Sequence, residues 1–205
     1  MQTGPSSTSL VVYDDHLSAL EARTLHFARN GLGEDGGYGG KLVKFRLGPL
    51  FIQVPNTPGR QRATRYHDLH HVLTGYATDW RGEFQISAWE IATGCGDHYT
   101  AWSLNLGGMA VGLVRCPRAV FRAFVRGRNS KNLYHDDFND ALLRSSVGDL
   151  RARLGLDREV PATRFIDVLA FCLWLVPGIV SGLLQWLTLP LFLPFAILRG
   201  RVATA

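Results

Sequence analysis

The residues best suited to do chemistry are His67, Asp68, His70 and His71, followed after eleven intervening residues by Glu83. Imidazole nitrogens and carboxylate oxygens form a mixed donor set that suits zinc or a non-haem iron bound by two histidines and a carboxylate, and ligand type alone does not choose between them. On a helix advancing 100° per residue, His67, His71 and Asp68 fall at about 0°, 40° and 100°, within one arc of surface. Glu83 lies in the next helical segment and is placed to close the site from the opposite wall, where it is a catalytic as well as a ligating candidate. Glu90, two turns further along nearly the same stripe, is a second catalytic candidate, either touching substrate or supporting a ligand.

The competing reading is a solvated polar face, and the clustering argues against it, because three of the seven histidines occur within five residues beside an acid. His67-x-x-His70-His71 is also similar to one histidine box of membrane desaturases, but His16, His26, His98 and His135 are scattered singly and build no second box. The zinc-protease order H-E-x-x-H is not met, since Asp68 stands where Glu is needed as base.

Two helices must carry this constellation. Asn56-Thr57-Pro58 supplies a cap and a first-turn proline for a helix to Thr74, with Gly75 as its stop. Thr78 or Asp79 caps the next, to about Thr93, with Trp80, Phe84, Ala88 and Ile91 as its apolar stripe. The short turn between them predicts an antiparallel helical hairpin.

Around this hairpin the pattern predicts a first helix over 13–30 capped by Asp14 or Asp15, a glycine-rich flexible loop over 33–40, and a β-hairpin over 42–54 turning at Gly48-Pro49. A small-residue apolar helix follows over 101–114, read as buried or as the wall of an apolar tunnel. A basic helix runs from Pro117 to about Arg126, and a last body helix from Asp136 to Gly155. The expected class is mainly α: a helical bundle-like domain with a small β-hairpin and a C-terminal hydrophobic membrane segment. Residues 1–12 are expected to be a disordered tail, 13–160 the helical metal-binding domain and 165–199 the membrane-inserting segment.

Composition supports that division. The chain has 205 residues, 46% of them hydrophobic, enough for one core. From Phe165 to Leu198 the only charge is Asp167, a longer run than the roughly 20 apolar residues that cross a bilayer. Pro177-Gly178, Pro190 and Pro194 suggest a re-entrant hairpin or kinked span, with a single tilted span as the alternative. The net charge of +5 arises partly from Arg118, Arg122 and Arg126, which recur every fourth residue as a stripe for anionic headgroups. With Arg164 and Arg199 bracketing the apolar run, the expected location is the cytoplasmic side of a membrane. No nucleic-acid motif is present, and no nucleic-acid partner is expected. Cys95, Cys116 and Cys172 have no paired spacing, which suits buried thiols in a reducing compartment.

The order H-D-x-x-H, eleven residues, then E resembles the signature of the coenzyme Q (ubiquinone) biosynthesis protein 4 family. His67, Asp68, His71 and Glu83 match it at full spacing, and Leu73-Thr74-Gly75, Thr78, Gly82, Glu90, Thr93-Gly94 and the stretch Asp149 to Leu156 are similar to its surroundings. The likeness spans about residues 41–156. The N-terminal part is shorter than in typical members, and the apolar tail lies outside the usual pattern.

The resemblance implies a largely helical fold and a divalent metal, zinc with iron as the alternative, held by the four matched residues. It implies a membrane-associated enzyme of ubiquinone or related prenyl-quinone synthesis that oxidatively decarboxylates a polyprenylated hydroxybenzoate. Its expected partners are a prenylated quinone precursor or other isoprenoid lipid, the membrane, and other enzymes of the same synthesis. Two further readings stand beside it: a non-enzymatic lipid-binding scaffold that organises those enzymes, and a metal-dependent lipid-phosphate hydrolase.

Overall fold

A computed structural model describes residues 10–47 and 50–202, with side chains outside 44–54, 186 and 189–202. Most of the expected N-terminal tail and the Gly48-Pro49 turn lie outside the described residues. Residues 10–12 form no helix or strand, yet Val11 is tied down, its N–H donating to the Gly75 carbonyl at 2.7 Å.

The chain is mainly helical, as the periodicity predicts. In order it forms α1 (Ala19–Asn30), β1 (Leu42–Leu47), β2 (Leu50–Pro55), α2 (Pro58–Thr74), α3 (Trp80–Thr93), α4 (Tyr99–Arg115), α5 (Pro117–Arg128), α6 (Asp140–Arg144), α7 (Val147–Leu154) and α8 (Phe165–Val202). β1 and β2 pair antiparallel, Leu42 opposite Pro55 and Leu47 opposite Leu50.

The two helices of the site begin and end where their caps dictate. Thr57 accepts from the Arg60 N–H, Pro58 opens α2, and Gly75 closes it in the left-handed region at φ 76°. Asp79 accepts from the Gly82 N–H to open α3. Gly82 has no room for a side chain, because a Cβ there would stand 1.9 Å from the Ala77 carbonyl oxygen. This close approach lets the α2–α3 turn stay short.

Helix α3 lies at the centre, packed on α4 and α5. Ile86, Ala88, Trp89 and Ile91 are fully or almost fully buried, together with Val120, Ala123 and Phe124 of α5 and Met109 of α4. Trp80 projects into solvent although it falls on the predicted apolar stripe. The small residues of α4 are filled rather than hollow: a Cβ on Gly108 would meet Ser87, one on Gly112 would meet Phe84 and Val120, and one on Gly107 would meet Gln185. They allow close helix packing, and the tunnel reading of this segment finds no support in that packing.

Two helix boundaries differ from expectation, for one shared reason. α1 starts six residues after Tyr13, at a capping box in which Ser18 and Glu21 bond reciprocally. The expected 136–155 helix is split into α6 and α7 at Ser145-Ser146. The two breaks meet: Ala19 N–H donates to the Ser145 carbonyl, Val147 N–H to Leu17 and Gly148 N–H to Asp15, around a bridge between Ser18 and Ser146. These long-range bonds replace helical ones on both sides.

α8 is one continuous helix, so the re-entrant hairpin suggested by its prolines does not form. At 1.5 Å per residue its 38 residues reach roughly 57 Å. One face lies on the body through a stacked Trp102–Trp174 pair with ring centroids 5.3 Å apart, and through Phe171 edge-on to Phe121 and Phe124. Its polar groups are answered there: Asp167 by Arg128 and Arg164, and Gln185 by the Ser103 carbonyl at 2.7 Å. Leu173, Val176, Val180 and Leu187 remain exposed. Little of the Phe165–Gln185 stretch is buried, and this stretch is long and apolar enough to cross a membrane.

Candidate metal centre

His67 and His71 are one turn apart on α2, and Glu83 lies in the first turn of α3. Their donor atoms fall within 4.8 Å of one another. His67 Nε2 is 3.2 Å from His71 Nε2, while the two Glu83 oxygens stand 3.5 Å from His67 Nε2 and 3.4 Å from His71 Nε2. His71 is buried, whereas the Glu83 side chain is 39% exposed, so the group opens to solvent on the Glu83 side.

The other ring nitrogens explain why both Nε2 atoms face inward. His67 Nδ1 is 2.9 Å from a Glu90 oxygen and His71 Nδ1 is 2.9 Å from the Tyr76 carbonyl oxygen. Each acceptor takes a proton from Nδ1, so Nε2 is the nitrogen of each ring that offers its lone pair to an ion, His67 once its second proton has left. Two imidazole lone pairs and a carboxylate converging this closely call for a cation. The donor chemistry suits a divalent metal.

Glu90 is fully buried and every neighbour donates to it. One oxygen takes His67 Nδ1 and His70 Nδ1, the latter at 2.6 Å; the other takes Tyr134 Oη at 2.9 Å and the Asn105 amide. His70 is oriented from behind, since its Nε2 accepts the Leu133 N–H at 3.0 Å. Glu90 therefore supports His67 and has no free oxygen for a substrate. Burial opposes ionisation of Glu90 and Glu83, but the neighbouring histidines outweigh it and hold both carboxyls well below the usual range. Burial likewise pushes the His67 imidazole down, and Glu90 with Glu83 reverses this and raises it well above the ordinary value.

Asp68 stands apart from the tight group. Its carboxylate accepts Tyr38 Oη at 2.5 Å, and burial raises its pKa. Tyr38 is delivered by the glycine-rich loop, which is an ordered turn: Asp35 accepts the Gly37 and Gly39 N–H groups, and the Asn56 amide donates to the carbonyls of Gly37, Tyr38 and Gly40. The sequence offered no signal for this Tyr38–Asp68 pair.

The end of α2 is clamped by two arginines. Arg151 donates to the Val72 and Leu73 carbonyls, and Arg126 donates to the Thr74 carbonyl at 2.8 Å while lying over the Tyr76 ring. Arg126 is thus committed to the body, whereas Arg118 and Arg122 are exposed. The reason is helical drift: positions four apart rotate by about 40° each step, so the third arginine turns toward the core.

His26 on α1 was seen in the sequence only as an isolated histidine. Its ring stacks on His71, with centroids 5.5 Å apart and planes 22° from parallel. Burial, then His71 and His67, lower its pKa to about 4, so it is neutral near pH 7. No family model, curated protein or solved structure matches the chain.

Proposed function

We propose that this chain is a membrane-associated metalloprotein of ubiquinone or related prenyl-quinone synthesis, acting in the oxidative decarboxylation of a polyprenylated hydroxybenzoate. The observation that carries this reading is the convergence of His67 Nε2, His71 Nε2 and Glu83 at the H-D-x-x-H, eleven-residue, E spacing. Zinc is the favoured ion and iron the alternative, with His67, His71 and Glu83 as ligands. Asp68, whose Oδ2 accepts the Tyr38 hydroxyl, lies outside the tight group and is the candidate fourth ligand.

A divalent ion at these residues supplies a Lewis acid for a carboxylate. The residues of the chain supply the rest. Glu90 and the Tyr76 carbonyl fix both imidazole tautomers, and His70, Tyr134 and Asn105 keep Glu90 ionised and immobile. Glu83 marks the open side, where an aromatic acid enters. The overall change exchanges a ring carboxylate for a hydroxyl with loss of carbon dioxide. That is a two-electron oxidation; it balances with water supplying the hydroxyl oxygen and the two electrons passing to dioxygen, which leaves as hydrogen peroxide, or to another acceptor.

The exposed face of α8 and the exposed Arg118 and Arg122 favour a membrane surface as the place where a prenylated lipid is met. The basic flanks favour its cytoplasmic side. The scaffold reading loses one of its motives, because α4 is tightly packed.

The deciding experiment pairs elemental analysis of the purified protein with complementation of cells blocked at this decarboxylation step. Stoichiometric metal in the unaltered protein, lost together with quinone synthesis in His67→Ala and Glu83→Ala, is expected. Full rescue by both variants would refute the assignment.

A further inference from the structure

We propose that His26 donates a hydrogen bond from Nε2 to a carboxylate bound at the His67–His71–Glu83 centre. The inference rests on the metal reading above and assigns a recognition role to a residue outside the metal-binding motif.

The protons around His26 are fixed by its neighbours. Nδ1 is faced by Tyr13 Oη at 3.1 Å and by the Asn30 amide nitrogen at 3.4 Å. The Asn30 amide has only one sensible orientation, because its nitrogen donates to the His26 carbonyl at 2.8 Å and its oxygen accepts the Thr78 hydroxyl. An amide NH₂ offers only protons, and the tyrosine hydroxyl can offer one, so Nδ1 is the lone-pair nitrogen. The ring proton therefore sits on Nε2.

That Nε2 is buried and has no hydrogen-bond partner among the described residues, while His26 as a whole is 2% exposed. Buried N–H donors are rarely left without an acceptor. His26 is also outside the group whose donor atoms lie within 4.8 Å of one another, although its ring lies flat against that of the ligand His71. It is thus a neighbour of the centre rather than one of its ligands. An N–H donor beside a bound cation selects an anionic oxygen that the cation also attracts. A carboxylate supplies both an oxygen for the ion and an acceptor for the donor.

The test uses the full-length protein loaded with cobalt(II), whose visible spectrum reports coordination, and 4-hydroxybenzoate as the probe. His26→Phe preserves the ring stacked on His71 and removes the donor. Its cobalt affinity is expected within threefold of the unaltered protein, and its affinity for 4-hydroxybenzoate at least tenfold weaker. Tyr13→Phe, which leaves the His26 ring in place but removes the nearer of the two groups that hold its tautomer, should weaken the probe about threefold with cobalt affinity unchanged. It also carries the test alone should His26→Phe fail to fold, as judged by circular dichroism.

Unchanged probe affinity in the folded variants overturns the proposal. Equal loss of cobalt and probe in His26→Phe also overturns it, by making His26 a ligand. Absence of a cobalt spectrum in the unaltered protein overturns the metal reading itself, and the proposal with it.

Discussion

His67 and His71 present their Nε2 atoms to each other across 3.2 Å, each ring held by an acceptor at its far nitrogen. Such an arrangement is preorganised for a cation, because the tautomers are set before the ion arrives. His67→Ala, His71→Ala and Glu83→Ala should each lower zinc affinity by more than the roughly 10–100-fold typical of losing an outer partner. Tyr38→Phe separates the two roles open to Asp68: if Asp68 ligates, freeing it raises affinity, and Asp68→Asn lowers it. Competition against a chromophoric chelator measures all five. Affinity unchanged in Tyr38→Phe and Asp68→Asn would remove Asp68 from the donor set.

Glu90→Gln keeps the shape and removes the charge. An amide oxygen cannot replace both carboxylate oxygens, and its NH₂ would face the Tyr134 hydroxyl and the Asn105 amide, or else His67 and His70. The expected cost is about 2–4 kcal/mol of stability, in the range for disrupting a buried, charge-assisted network. Zinc affinity should fall about 10–100-fold as His67 loses its tautomer lock. Urea unfolding and chelator competition give the two numbers. A stable variant with undiminished zinc affinity would show that Glu90 does not position His67.

The pH dependence has a definite sign. In the metal-free protein the raised His67 pKa contributes stability that is fully present below about pH 6.5, the ordinary imidazole value, and is lost as pH rises through the raised value. Binding a metal requires the same proton to leave Nε2, so affinity falls as acid restores it. The increase in melting temperature caused by zinc should therefore be larger at about pH 8 than at about pH 6. In Glu90→Gln the dependence should shift to lower pH, because the charge that holds the proton is gone. A zinc-induced shift independent of pH would contradict a histidine-bound ion.

Much of this site could be read from residue order alone. Thr57-Pro58, Gly75 and Asp79 are local signals acting through neighbouring backbone, and each cap forms where expected. His67, His71 and Glu83 follow from helix period and turn length. What escaped depends on distant chain. Tyr38 reaches Asp68 from thirty residues away, His70 and His67 share Glu90 with Tyr134, and the 15–18 segment pairs with 145–148 and cuts two expected helices short. The prolines of the tail misled for a different reason. A helix tolerates proline where the backbone group it frees is otherwise accommodated, and α8 continues through Pro177.

The exposed face of α8 is the surface that a bilayer would cover. Leu173 and Val180 are 66% and 52% exposed and lie on the side away from the Trp102–Trp174 stack and the Ser103–Gln185 bond. In water, lysine at these positions should leave the fold intact, since neither side chain is enclosed. Within a bilayer each lysine near the centre costs about 2.5–3.5 kcal/mol on insertion scales. Leu173→Lys combined with Val180→Lys should therefore move the protein from the floating vesicle fraction to the soluble fraction in a density gradient, with its circular dichroism and zinc affinity preserved. If the double variant floats as well as the unaltered chain, α8 does not enter the membrane by this face, and the exposed leucines and valines must be covered by protein instead.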